Sequence, residues 1–214
     1  MTVSSVMTHN PVTIREDENV VDAQALMKEQ KIHRLPVLNH QNKLVGIVSE
    51  KDLLYASPSP ASTLSVYELS GLLAKLQVAK VMTKKVLTVA QDTLVEEAAS
   101  MLVDNNIGGL PVMKDDLLVG IVTESDLFRL LIDLFGTRRR GVRATLRVPE
   151  RPGEIADMAK AMTDAGADIV SLGTFPGNDL SNAVLTLKVS EITKDKLLTI
   201  LEPLVVEVMD VRES

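Results

Sequence analysis

The chain has 214 residues, 45% of them hydrophobic, and a formal net charge of −6, enough to bury one substantial core or a few small ones. It contains no cysteine, which excludes structural disulfides, thiolate metal sites and a cysteine nucleophile and fits a reducing cytosol. No stretch approaches the roughly 20 uninterrupted apolar residues that cross a bilayer, and no charged n-region precedes an apolar h-region at the N-terminus, so a cytoplasmic protein with no membrane partner is expected.

The acidic balance argues against nucleic acid as a partner, because such binding rests on cationic neutralisation of phosphates. The one basic cluster, Arg138, Arg139 and Arg140 with Arg143 nearby, reads as a solvated interdomain linker after Gly136 rather than a nucleic-acid contact. Three Phe, two Tyr and no Trp leave too few rings for a single-strand stacking platform.

The first two thirds of the chain are an internal duplication. An offset of 75 aligns Val3 to Val37 with the second copy, and an offset of 74 aligns Leu44 to Leu53 after a one-residue deletion. Across these blocks 20 identities fall in order, among them Met7/Met82, Thr8/Thr83, Leu35/Leu110, Pro36/Pro111, Gly46/Gly120 and Asp52/Asp126. Each copy reads as β-α-β-β-α. A short strand at Thr13-Ile14 (Thr88-Val89) precedes a helix whose apolar residues Val20, Ala23, Leu26 and Met27 recur at helical spacing, as do Val95, Ala98, Met101 and Leu102. A strand at Leu35 to Leu38, a hairpin through Asn39 to Lys43 and a strand at Leu44 to Val48 follow, and a second helix begins at Asp52. A unit of about sixty residues is marginal alone, so the copies are expected to pack sheet to sheet about a pseudo-two-fold axis.

Between the copies, the Ser-Pro-rich stretch Ala56 to Thr63 reads as a linker. Ser65 and Glu68 then fit a capping box, and Leu69, Leu72, Leu73 and Leu76 an amphipathic helix. The expected organisation is a first repeat at 1–58, linker and helix at 59–77, a second repeat at 78–135, a basic linker at 136–141 and a C-terminal domain at 142–214.

The motif with chemical content is Gly46-Ile47-Val48-Ser49-x-x-Asp52 and its twin Gly120-Ile121-Val122-Thr123-x-x-Asp126, where a strand passes into a helix. A hydroxyl followed three residues later by a carboxylate caps free backbone N–H groups. The same arrangement suits a ligand: the helix N-terminus and hydroxyl face a phosphate, while the carboxylate accepts from the paired hydroxyls of a ribose. On the residues alone, the capping reading is the stronger.

The arrangement resembles the CBS domain family, whose tandem pair binds adenine nucleotides in the cleft between repeats. The resemblance covers roughly residues 1 to 135 and rests on Val6-Met7-Thr8, Thr13-Ile14, Leu35-Pro36-Val37 and Gly46 to Asp52, each repeated in the second copy. It implies an α+β fold with a nucleotide held by Ser49 and Asp52 at one site and by Thr123 and Asp126 at the other. Thr13, Ile14, Pro36 and Val37, with Thr88, Val89, Pro111 and Val112, would frame the bases. It also implies a phosphate role for His33-Arg34. The second copy has Gly108-Gly109 there and offers no cation, so the two clefts are expected to differ. The sequence leaves open which cleft His33 and Arg34 face.

The C-terminal segment reads as β-α-β-β-α-β, a ferredoxin-like order. A strand at Val142 to Val148 leads through Glu150-Arg151-Pro152-Gly153 to a helix with Ile155, Met158, Ala159 and Met162 on one face. Strands at Asp168 to Leu172 and Ala183 to Val189 flank the turn Gly177-Asn178-Asp179, and a helix at Thr193 to Leu201 precedes a strand at Leu204 to Val208. This segment resembles the ACT domain family, in which such a turn helps bind a small amino acid at a dimer interface. The matching residues are Pro152, Gly153, Glu154 and Ile155, with Glu150 where Asp is more usual. Gly153 also suits a purely structural turn. A small domain with an exposed sheet edge favours pairing, so a homodimer is expected.

The order CBS, CBS, ACT is similar to that of the bacterial acetoin-utilisation accessory protein family, which implies a stand-alone regulator with a protein partner still to be identified. The expected function is sensing of AMP, ADP or ATP, with domain or dimer rearrangement relayed to that partner. The alternative is an adaptor whose clefts are empty or hold another ligand such as S-adenosylmethionine. The three histidines are scattered and no Gly-Lys-Ser/Thr phosphate loop is present, so no enzyme activity, metal site or catalytic cofactor is expected.

Overall fold

The computed structural model describes residues 1–56 and 73–214 and divides the chain into two compact units, Met1–Leu127 and Phe128–Ser214. In the first unit the first copy comprises a 3₁₀ turn Val3–Ser5, β1 (Thr8–His9), β2 (Ile14–Arg15), α1 (Val20–Gln30), β3 (Arg34–Leu38), β4 (Leu44–Ser49) and α2 (Glu50–Ala56). The second repeats that order: a 3₁₀ turn Val78–Lys80, β5 (Val89–Ala90), α3 (Val95–Asp104), β6 (Gly109–Lys114), β7 (Leu117–Thr123) and α4 (Glu124–Leu134). The expected linker and capping box, with Leu69 and Leu72, lie outside the described residues; Leu73 and Leu76 pack against the first core.

Local chemistry explains the element ends. Asn19 caps α1 by accepting from the Asp22 amide at 2.9 Å, and Lys31 closes it in the left-handed region. Both second helices begin at Glu50 and Glu124, two residues before the aspartates expected to open them.

The sheets reveal an exchange that the repeat boundaries did not anticipate. β2, β3 and β4 form one sheet, whereas β1 leaves its own copy and pairs with β7 in the order β1-β7-β6-β5. Thr8 faces Ile121 there, and the equivalent residues of the other copies, Thr83 and Ile47, form the reciprocal bridge. The amides of Val3 and Ser4 donate to the carbonyls of Thr93 and Gln91 at 2.8 and 2.9 Å, while those of Val78 and Ala79 donate to Glu18 and Glu16 at the same distances. Val3 and Met7 therefore complete the core formed by Val89, Ala98, Leu102, Leu110, Val112 and Val122. Val78 in turn joins Ile14, Val20, Ala23, Met27, Leu35, Val37, Val48 and Leu53. Gly46 and Gly120 make room for the exchanged Met82 and Met7, whose sulfur atoms occupy the space a Cβ would need.

The second unit contains β8 (Val142–Pro149), α5 (Glu154–Asp164), β9 (Asp168–Pro176), β10 (Asn182–Ser190), α6 (Lys194–Leu201), a 3₁₀ turn Glu202–Leu204 and β11 (Glu207–Glu213). Its sheet runs β11-β8-β10-β9, antiparallel throughout. Alternate residues Val142, Ala144, Leu146 and Val148 of β8 and Ala183, Leu185, Leu187 and Val189 of β10 share a core with Met158, Met162, Leu197 and Leu201. Ile155 is on the expected stripe yet 46% exposed, because the core ends before the first turn of α5. The last strand also begins later than the expected Leu204 to Val208, since Glu202-Pro203-Leu204 is taken up by the 3₁₀ turn.

In the stretch 136–141, Thr137 to Arg140 are exposed as expected, while its two ends are held by the second unit. The C-terminal end of α4 belongs to the second unit, where Gly136, at φ +57°, closes the helix with bonds from the amides of Gly136 and Thr137 to the carbonyls of Asp133 and Ile132. The Phe135 ring stacks on Phe175 with centroids 6.4 Å apart and lies under the Arg143 guanidinium. Ser171 donates to the Phe135 carbonyl at 3.3 Å, and buried Lys188 donates to that of Gly136 at 3.0 Å. Arg139 pairs with Asp168, and Gly141 and Ser214 exchange backbone bonds at 2.9 Å. Among the described residues, no helix is long and apolar enough to cross a membrane.

Candidate functional site

Each candidate site grows from a β-hairpin whose second strand runs into a helix. Arg34 faces Ser49 across β3 and β4, and Gly109 faces Thr123 across β6 and β7. The next residue opens a helix, so each hydroxyl stands beside free N–H groups. Asp52 Oδ2 accepts from the Ser49 amide at 2.8 Å and the Ser49 hydroxyl at 2.6 Å. Asp126 Oδ2 accepts from the Thr123 amide and hydroxyl at 2.9 and 2.7 Å. The capping reading is thus realised in both copies. It does not exclude a ligand role, because a carboxylate has about four acceptor sites over its two oxygens. Asp126 is buried and Asp52 half-buried.

The remaining candidates flank these motifs on neighbouring strands. Ile14 pairs with Val37, and Val89 with Val112. Ile14, Val37, Val89 and Val112 belong to the two cores, so they offer a ligand chiefly their backbone groups, and Pro36 and Pro111, between core residues on their strands, are buried as well. Thr13 and Thr88 are half-buried. Thr88 opens on a cavity of about 410 Å³ that Lys43, Lys84 and Asp115 also line, and sequence reasoning nominated none of those three.

His33 and Arg34 part company. His33 is largely exposed and its Nδ1 lies 2.8 Å from Glu50 Oε2. Arg34 crosses to the second copy, where its guanidinium lies over Gly108 and Gly109 beside Glu124. Burial pulls the Arg34 pKa below its usual value and the Glu124 charge partly offsets this. Arg34 Nη1 is buried and has no hydrogen-bond partner among the described residues. The signal for this crossing was the Gly-Gly pair itself, which reads in sequence as a missing cation and in the structure as space for the cation of the other copy.

Pro152, Gly153, Glu154 and Ile155 lie in the second unit and line an open depression of about 580 Å³ with Glu150 and Thr174. Gly153 takes φ +94°, and Arg151 bridges to Asp157 at 2.7 Å. Among the described residues, no cluster of His, Asp and Glu could hold a metal ion.

The first two thirds of the chain are similar to known proteins. The CBS domain profile matches residues 3–59 and 78–133, more than half of the chain. A Vibrio cholerae protein bearing an acetoin-utilization name (AcuB) is 33% identical, with a TM-score of 0.54 over 64% of this chain and 95% of that one. CBSX2, solved with AMP, is 32% identical, with a TM-score of 0.52 over 64% of this chain and 98% of its own. A CBS domain pair solved with 5′-methylthioadenosine and S-adenosyl-L-methionine is 27% identical, with a TM-score of 0.52 over 65% of this chain and 98% of its own. Each leaves roughly a third of this chain unmatched. With the duplicated strand-to-helix motif, the two profile matches and these neighbours in agreement, the chain belongs to the CBS domain family and carries its domains as a tandem pair.

Proposed function

We propose that this chain is a non-catalytic regulatory protein that senses an adenine nucleotide, AMP, ADP or ATP, through its CBS pair. The observation that carries this reading is the Ser49/Asp52 and Thr123/Asp126 motif, preorganised at a helix start in each copy. The similarity to CBSX2, solved in complex with AMP, supports it. A second reading, S-adenosylmethionine or a similar adenosyl ligand, draws on the pair solved with such molecules. A ligand acts as a signal only through different affinity for two states of the protein.

The second unit fits an ACT-like module by its β-α-β-β-α-β order and its Pro152-Gly153 turn. In this reading it binds an amino-acid effector at the depression beside that turn or pairs the chain into a homodimer. A protein partner reads the change in the cytoplasm, and the resemblance to the acetoin-utilisation proteins suggests carbon catabolism as its setting.

Thermal-shift titration with AMP, ADP, ATP and S-adenosylmethionine, beside Asp52→Ala and Asp126→Ala, tests the reading. A ligand at about a hundred times its Kd adds roughly 2.7 kcal/mol to the folded state. A shift with one adenine ligand that an Asp substitution removes supports the sensor, and the substitution identifies the cleft. Unchanged melting with every ligand refutes it.

A further inference from the structure

The cavity beside Thr88 carries charges of both signs, sorted by wall. Its volume of about 410 Å³ lies within the range of ligand pockets, about 300–1,000 Å³. Lys43 immediately precedes β4, and Lys84 follows Thr83, which bridges to Ile47 of that same strand. Asp115 and Asp116 both come from the turn between β6 and β7, where Asp115 holds φ +52°. Among the described residues none of these four side chains is in an ion pair, although all line one cavity. Half-buried Leu44, Val86 and Met113 add an apolar lining. The cavity is not the strand-to-helix motif: Met113 lies four residues along β6 from Gly109, which faces Thr123, a distance of about 13 Å at the rise of a strand. Nor does the duplication repeat it. His9 and Leu117 stand where the offsets of 75 and 74 place the equivalents of Lys84 and Lys43, and the turn Asn39 to Asn42 of the first copy has no carboxylate.

Opposite charges that line one cavity without meeting leave room for a molecule that carries both. Each end of a zwitterion would gain a charge-assisted hydrogen bond there. A polyanion would meet the two aspartates as like charges, and a wholly apolar ligand would strip water from four charged groups with nothing in return. We infer that this cavity is a binding site for a zwitterionic α-amino acid with an apolar side chain, its carboxylate toward Lys43 and Lys84, its ammonium toward Asp115 and Asp116, and its side chain against Leu44, Val86 and Met113. The inference goes beyond the nucleotide reading and stands independently of it. It is also distinct from the depression at Pro152-Gly153 in the second unit, since every residue that lines this cavity belongs to the first.

The test is methyl NMR of the full chain carrying ¹³C-labelled methionine, with the Met113 signal assigned by Met113→Leu and followed during titration with L-leucine, L-isoleucine and L-valine. At least one of these should move it saturably. The N-acetyl and amide derivatives of that amino acid, each lacking one charge, should bind at least about tenfold more weakly, the scale of one charge-assisted bond. Lys84→Gln, and Asp115→Asn combined with Asp116→Asn, should weaken binding to the same degree. All three substituted side chains are exposed, and Asn accepts the left-handed φ of Asp115, so the fold is retained. Saturating AMP should leave the shift in place. A Met113 signal unmoved by all three amino acids, a shift that either charge variant retains at wild-type affinity, or one that AMP abolishes overturns the assignment. None of these outcomes counts against the nucleotide reading.

Discussion

Gly120→Ala probes the exchange between copies directly. The added Cβ would lie 3.0 Å from Met7 Cγ and 3.1 Å from Met7 Cε, and closer to the sulfur. Met7 is only 8% exposed and forms part of the second core, so it cannot move aside without opening that core. Overpacking of this kind costs about 1–3 kcal/mol. Met7→Ala alone leaves a cavity and costs about 2–5 kcal/mol, toward the lower end for a site that keeps some exposure. In the double variant the clash is gone and the new methyl occupies part of the vacated volume. The combined cost should then fall below the sum by more than about 0.5 kcal/mol. Urea unfolding of the four proteins, followed by far-UV circular dichroism, measures this coupling. Strict additivity would refute the packing of the first copy's N-terminal segment against β7.

Other substitutions test the second unit. Phe135→Ala removes the half-buried ring stacked on Phe175 and should cost about 2 kcal/mol; amide exchange over 136–141 should quicken, and unchanged exchange would refute a role for the ring in holding that stretch. Gly153→Ala meets no atom within 4 Å but must hold φ +94°, so it should lower stability by about 1–2 kcal/mol, through backbone strain alone. The Asp210 carboxyl is held below the usual aspartate range chiefly by its hydrogen bonds from Arg212. Its folded pKa is thus below its unfolded one, so the associated stabilisation is present above about pH 4 and lost as pH falls through the lowered value. Carboxyl NMR titration should find that Arg212→Gln returns Asp210 toward the ordinary value.

Periodicity and duplication made much of the fold legible. Val20, Ala23 and Met27 are buried on α1 as their spacing predicts, and the strand-to-helix motifs fall at the expected junctions. What remained hidden was non-local. Val3 and Met7 adjoin their own repeat in sequence, and only tertiary pairing with β7 reveals that they fill the other core. Arg34 likewise carries no mark of where its long side chain reaches, and the Gly108-Gly109 notch acquires meaning only across the pseudo-symmetry. The basic stretch reads as solvent-exposed and Thr137 to Arg140 are so; what composition does not show is that the Gly136 carbonyl and the preceding Phe135 are held by the second sheet. Ile155 and the late start of β11 show the same limit: a pattern gives a face, and the extent of the neighbouring core decides which residues of it are covered.

The reciprocal lending of Val3 and Val78 makes the pair a tethered version of a swapped dimer. Each half lacks a piece of its own interior, so a lone copy could complete its core only by trading N-terminal segments with a second chain. Joining the copies covalently replaces that encounter with an intramolecular one at a raised effective concentration. The pair can then assemble whatever the chain's concentration, and the core of each copy stays coupled to the integrity of the other.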